Sequence, residues 1–148
     1  MDARDPARIE RVALAILRVS LALFLLLWGV EKFVIPAVTE QIWGHFYGMS
    51  IGRAIVPLLG ALESGLAIAI GLGLWRRWSY GLGLLLHAVS VLASWRQLTD
   101  PWGLRSGGSP NHLFLAGVPV LAAFIALYML RERDTWTLDA WRQRNTAS

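Results

Sequence analysis

The stretch Leu58–Trp75, LLGALESGLAIAIGLGLW, is apolar or small at every position except Glu63 and Ser64. Its length suits a helix that crosses a bilayer, which needs about 20 apolar residues. A lone carboxylate at mid-membrane costs at least ~2.5–3.5 kcal/mol on insertion scales. The segment therefore reads as a spanning helix only if Glu63 has a face of its own, turned away from lipid toward a partner. Helical spacing supplies that face. Gly60, Glu63, Ser64, Ala67 and Gly71 fall at i, i+3, i+4, i+7 and i+11, and the small residues among them let a neighbouring helix come close.

The rest of the chain has the matching character. Of 148 residues, 55% are hydrophobic and 16% charged, whereas soluble domains run near a quarter charged. Eight tryptophans are a heavy load for one small domain, and aromatic belts at membrane surfaces account for them. The composition implies an integral membrane protein, one domain over 1–148. The absence of cysteine excludes disulfides, thiolate metal sites and thiol relays through this chain. The formal charge of +4 rests on arginine, with Lys32 the only lysine. These cations cluster at the ends of apolar runs, which fits membrane topology and argues against a nucleic-acid partner.

Four segments qualify as spans: about 12–34, 55–75, 78–95 and 113–130. The first follows Arg4, Arg8 and Arg11 but is too long for a signal-peptide core and has no small-residue cleavage site after it, so it is expected to be retained. Arg76-Arg77 reads as a very short turn between the second and third spans. Pro36 breaks the first span, and the connection that follows is amphipathic. Ser109 or Asn111 is the expected cap of the last span, and Pro119 within it predicts a kink. Nine cations (Arg4, Arg8, Arg11, Arg76, Arg77, Arg131, Arg133, Arg142, Arg144) lie on one side and four (Lys32, Arg53, Arg96, Arg105) on the other. The expected architecture is thus an all-α, four-transmembrane-helix up-down bundle in the cell's inner (plasma) membrane, both termini cytoplasmic and the longer connections outside. The tail RERDTWTLDAWRQR predicts a short interfacial helix.

The other spans carry polar stripes too: Arg18, Ala22, Leu25, Gly29 and Lys32 in the first, and Tyr80, Gly83, His87, Ser90 and Ser94 in the third. The fourth has Ala116, Val120, Ala123 and Leu127, with no charge. Counted from the cytoplasmic ends, Arg18 lies ~9 Å deep, His87 ~13 Å and Glu63 ~18 Å. The expectation is a Glu63–Arg18 pair, or a Glu63–His87 hydrogen bond, with Ser90 or Tyr80 as further donors. Against it stand simpler readings: Arg18 snorkels to the surface, Glu63 is a protonated hydrogen-bonding group, His87 is a packed imidazole, and Lys32 is an interfacial anchor. No haem ligand pair, metal-ligand spacing, phosphate loop or nucleophile elbow is present.

The strings ILRVSLALFLLLWGVEKF, with Arg18, Gly29 and Lys32, and LLGALESGLAIAIGLGLWRRW, with Glu63 and Gly71, resemble the first two spans of the DoxX family of small four-helix membrane proteins. The resemblance covers roughly residues 13 to 130. It implies a four-helix bundle associated with membrane redox chemistry, since the family takes its name from a subunit of a thiosulfate:quinone oxidoreductase. Two roles follow as expectations. The first is a quinone-associated subunit of a membrane oxidoreductase, with Glu63, His87 and Arg18 in proton chemistry and Lys32, Trp28 and Tyr80 holding the quinone, beside a membrane or soluble redox partner. The second is a non-catalytic accessory subunit that packs against a larger complex through faces such as Gly65, Ala69 and Gly73, or forms an oligomer. A small-molecule carrier is a third, which four short helices leave little room for.

Overall fold

Asp5 and Pro6 start the first helix. Asp5 Oδ1 accepts from the Ala7 N–H at 3.1 Å, and Pro6 has no N–H to leave unsatisfied in the first turn of α1 (Pro6–Val34). The helix ends where Pro36 cannot continue it, and α2 (Pro36–Tyr47) begins afresh with that proline, closing on Gly48 at φ 64°. The computed structural model describes residues 5–105 and 110–146, and the described residues hold helices and no strand. The remaining helices are α3 (Val56–Leu72), α4 (Arg76–Ala93), α5 (Trp95–Thr99), a 3-10 turn (His112–Ala116), α6 (Gly117–Met129) and α7 (Leu138–Thr146).

Antiparallel packing of α1 on α3 dominates the molecule, and α4 and α6 complete a ring in which α1 also meets α6 and α3 meets α4. The sequence explains the α1–α3 closeness. A Cβ on Gly29 would lie 2.9 Å from the Ser64 backbone nitrogen, and one on Gly60 would lie 2.9 Å from the Gly29 carbonyl oxygen. Any larger residue would wedge the two backbones apart. Leu25, Ile70, Tyr80, Phe124 and Leu127 fill the centre. The predicted stripes of α1, α3 and α4 are the buried faces, through Arg18, Ala22, Gly29, Glu63, Ala67, Gly83 and His87. Ser90 and Ala116, expected on those faces, are exposed. The α6 face centres on Phe124 and Leu127.

Outward faces are apolar: Leu27 is 72% exposed, Leu62 64% and Leu85 60%. Among the described residues, two helical segments are long and apolar enough to cross a membrane, Pro6–Val34 and His112–Met129, with mean hydropathies of 2.3 and 2.0; α3 is apolar but shorter.

Four local expectations are corrected. The α3–α4 turn is not Arg76-Arg77. Gly73 ends α3 at φ 65°, with Leu74 N–H bonded to the Ala69 carbonyl at 2.9 Å, and both arginines sit in the first turn of α4. Pro119 does not kink a continuous helix; the 3-10 turn ends ahead of it, and Pro119 falls in the first turn of α6, where its missing N–H leaves little unsatisfied. Asn111 precedes that 3-10 turn without a side-chain cap, and Ser109 lies outside the described residues. Finally, the third helix stops at Ala93, where the Ser94 hydroxyl bonds back to the Ser90 carbonyl at 2.6 Å, and α5 follows as a separate turn.

Candidate functional site

The bundle has two ends. The termini, the α3–α4 turn and α7 share one, the terminal end; α2, α5 and the 3-10 turn lie at the other, the far end. Each end holds a residue singled out from sequence in an inward ion pair, and neither pair is the one expected.

At the terminal end Arg18 Nη1 donates to Asp134 Oδ1 at 2.7 Å and Oδ2 at 2.8 Å. Its other nitrogens donate to the Gly71 carbonyl at 3.2 Å and the Trp136 carbonyl at 2.8 Å. The Tyr80 hydroxyl also donates to Asp134, at 2.7 Å. Arg76 Nη1 donates to the carbonyls of Arg131 and Asp134, both at 2.6 Å, while its backbone N–H reaches Asp139 Oδ2 at 3.0 Å. The tail is thereby folded under the bundle and Asp134 is fully buried. Charge-assisted bonds from the Arg18 guanidinium and the Tyr80 phenol satisfy what would otherwise be a costly buried carboxylate, while Arg76 holds the backbone around it.

Arg18 does not pair with Glu63, because its side chain leans back toward the N-terminus of α1 and meets α3 at Gly71, two turns beyond Glu63. Eight residues of helix correspond to ~12 Å, too far to bridge.

Glu63 pairs with Lys32 instead. The ammonium lies 2.6 Å from Glu63 Oε2, with side chains 14% and 9% exposed. Lys32 Nζ also donates to the Trp28 carbonyl at 3.1 Å. The interfacial-anchor reading of Lys32 is therefore replaced by a partner inside the seam. Beside Glu63, the buried Ser64 Oγ has no hydrogen-bond partner. Trp28 presents a ring 41% exposed, edge-on to Phe24 at 6.4 Å.

His87 does not bond to Glu63 either. Its Nε2 lies 3.0 Å from the Gly117 carbonyl oxygen, with the ring edge-on to Phe24 at 5.4 Å and tilted against Phe124 at 5.6 Å. It ties α4 to α6 at the point where α6 begins. Of the six residues singled out from sequence, the structure brings Glu63, Lys32 and Trp28 together at the far end. It brings Arg18 and Tyr80 together at the terminal end, and leaves His87 between the two. Asp134 was missed, since a carboxylate in a charged, tryptophan-bearing tail reads as solvated. The one sequence signal for it was the unmatched Arg18 near the same end.

No cluster of three or more histidine, cysteine or acidic residues that could hold a metal occurs among the described residues. Searches against protein-family models, curated proteins and solved structures return no match to this chain.

Proposed function

We propose that the protein is a four-span integral membrane protein. Its apolar outward faces, with ion pairs turned inward, are the reverse of a soluble bundle and suit lipid. Helix α3, 17 residues, and α4, 18 residues, each rise ~26 Å, close to the ~30 Å hydrocarbon core. Trp75, Trp78, Trp136 and Trp141 lie at the terminal end and Trp43, Trp95 and Trp102 at the far end, as two aromatic belts would. The surplus of arginine at the terminal end supports a cytoplasmic position for it.

Within that class, the protein is a DoxX-like membrane subunit of a redox complex, and its quinone-facing site is the Lys32–Glu63 pair. One observation carries this reading. The positions behind the resemblance meet along the single α1–α3 seam: Arg18 on the Gly71 carbonyl, Gly29 against Ser64, and Lys32 on Glu63. Lys32 and the exposed Trp28 ring suit a quinone, the ammonium as donor to a carbonyl and the indole as an apolar wall. Glu63 would supply or take up the proton that accompanies reduction. Electrons would come from the partner. His87 and Tyr80 leave this role, because His87 Nε2 is turned to the Gly117 carbonyl and the Tyr80 hydroxyl to Asp134, away from the Lys32–Glu63 pair.

The second reading, an accessory subunit without chemistry, is favoured by the closure of the Arg18–Asp134 cluster, which has the character of a structural clasp. Purification of the native complex in mild detergent, with mass spectrometry of its lipid extract and proteins, separates the two. A stoichiometric quinone kept by wild type and lost in Glu63→Gln is the expected result. A stoichiometric partner protein with no quinone on this chain overturns the chemical role and leaves the accessory one.

A further inference from the structure

We propose that the cleft between α1 and the tail binds one anionic phospholipid, with an acyl chain along α1 and the headgroup beside α7. The proposal shares with the function above only the premise that this surface meets lipid. Two concavities share the Trp136 side chain. One is an apolar groove along α1, floored by Ala15 and flanked by Val12, Ile16 and Val19. The other opens below it between the end of α3 and α7, beside Thr137, Trp141 and Arg144. Arg11 lies 5.9 Å over the Trp136 ring, a cation–π contact that holds the shared wall in place.

Charge complementarity decides the occupant. Among the described residues, each carboxylate around this end already lies within 4.0 Å of an arginine: Asp134 of Arg18, Asp139 of Arg76, Glu10 of Arg133, Glu132 of Arg131 and Asp5 of Arg11. The guanidinium groups of Arg8, Arg77, Arg142 and Arg144 form no ion pair with any described residue. Of these, Arg144 lines the cleft. An arginine without an ion-pair partner beside an apolar groove, with half-exposed tryptophans at the boundary, fits an amphiphile carrying negative charge. A free phosphate would satisfy Arg144 but leave the groove along Val12, Ile16 and Val19 unused. Arg18, although it borders the cleft, spends its donors on Asp134, Gly71 and Trp136 and serves as floor.

The full chain is exchanged into detergent micelles holding equal amounts of chain-matched phosphatidylglycerol and phosphatidylcholine, and native mass spectrometry reads the lipid each molecule keeps. Wild type is expected to keep phosphatidylglycerol preferentially. Arg144→Gln should lower that retention about fivefold, the factor expected for one surface arginine, while Arg77→Gln, outside the cleft, leaves it unchanged. Ala15→Leu fills the groove without touching a charge and should lower retention as well. Ile16→Trp, at a position 62% exposed, repeats that block should Ala15→Leu disturb folding. Equal retention of the two lipids overturns the proposal. So does an equal loss with Arg77→Gln, the sign of a diffuse basic collar, or indifference to both groove variants. Full competition by inorganic phosphate would assign the site to a free anion and overturn the lipid. Quinone retention at the far end is a separate readout in the same spectra, so failure of one reading leaves the other standing.

Discussion

At the terminal end Asp134 is 0% exposed and takes bonds from Arg18 and Tyr80, while its backbone carbonyl takes one from Arg76. At the far end Glu63 is bonded, among the described residues, by Lys32 alone, and a neighbouring hydroxyl, Ser64 Oγ, is left without a partner. Both carboxylates meet one cation across the bundle, yet only the first is close to saturated, accepting three hydrogen bonds of about four. A saturated carboxylate cannot exchange a proton or a partner without dismantling the packing around it. An under-saturated one, open at its edge, can accept a new donor at small cost. The difference separates a clasp from a candidate site, and graded substitutions test it.

The largest effect is expected from Asp134→Asn. It leaves Arg18 buried with its charge uncompensated, which costs roughly 3–5 kcal/mol, read as a fall in thermal or denaturant stability in detergent. Proteolysis of the tail should accelerate in parallel, because Asp134 is what pins residues 131–137 beneath the bundle. Tyr80→Phe removes one bond to the same charge and should cost about 1.5–3 kcal/mol. If either variant were as stable as wild type, the clasp would not be holding the tail.

The far-end pair should respond more mildly. Lys32→Gln is expected to cost roughly 1–2 kcal/mol, between the values for exposed and fully buried pairs, because both side chains reach the edge of the seam. The double variant Lys32→Gln/Glu63→Gln should recover part of that loss, since it removes the uncompensated buried charge that the single variant leaves on Glu63. A double-mutant cycle measures the coupling. A loss for Lys32→Gln equal to that for Asp134→Asn would erase the contrast and make both pairs clasps.

Much of this arrangement was legible in the sequence, and the exceptions have a common cause. The inward stripes of α1, α3 and α4 followed from helical periodicity, because a face 3.6 residues apart is a local property. Glu63 and Lys32 lay on those stripes, as did Arg18. Their pairing was not legible, because it depends on the axial offset between antiparallel helices. Helix ends misjudged by a few residues, together with the backward lean of side chains, moved Arg18 away from Glu63 and level with Gly71. Asp134 was hidden for a different reason. Its neighbours Glu132 and Arg133 are solvent-facing charges, and nothing in a seven-residue run without periodicity reveals which carboxylate turns inward. The tail becomes ordered through contacts more than 50 residues away, to Arg18, Arg76 and Tyr80.

The smallest predicted effect discriminates most sharply between the two ends. Ser64 Oγ is buried without a hydrogen bond, so Ser64→Ala removes a polar atom that already lacks its partner. The expected change in stability is within about ±0.5 kcal/mol. The close approach of Gly29, whose added Cβ would sit 3.2 Å from the Ser64 Cα, is untouched by a change to a smaller side chain. Quinone retention is the companion measurement. If Ser64→Ala leaves the fold intact and weakens retention, the spare hydroxyl belongs to the site beside Lys32 and Glu63. If it leaves both unchanged, the site is confined to the ion pair and Trp28. A loss above about 1 kcal/mol would mean that the hydroxyl is bonded in the folded protein, and the far end would then be as fully satisfied as the clasp around Asp134.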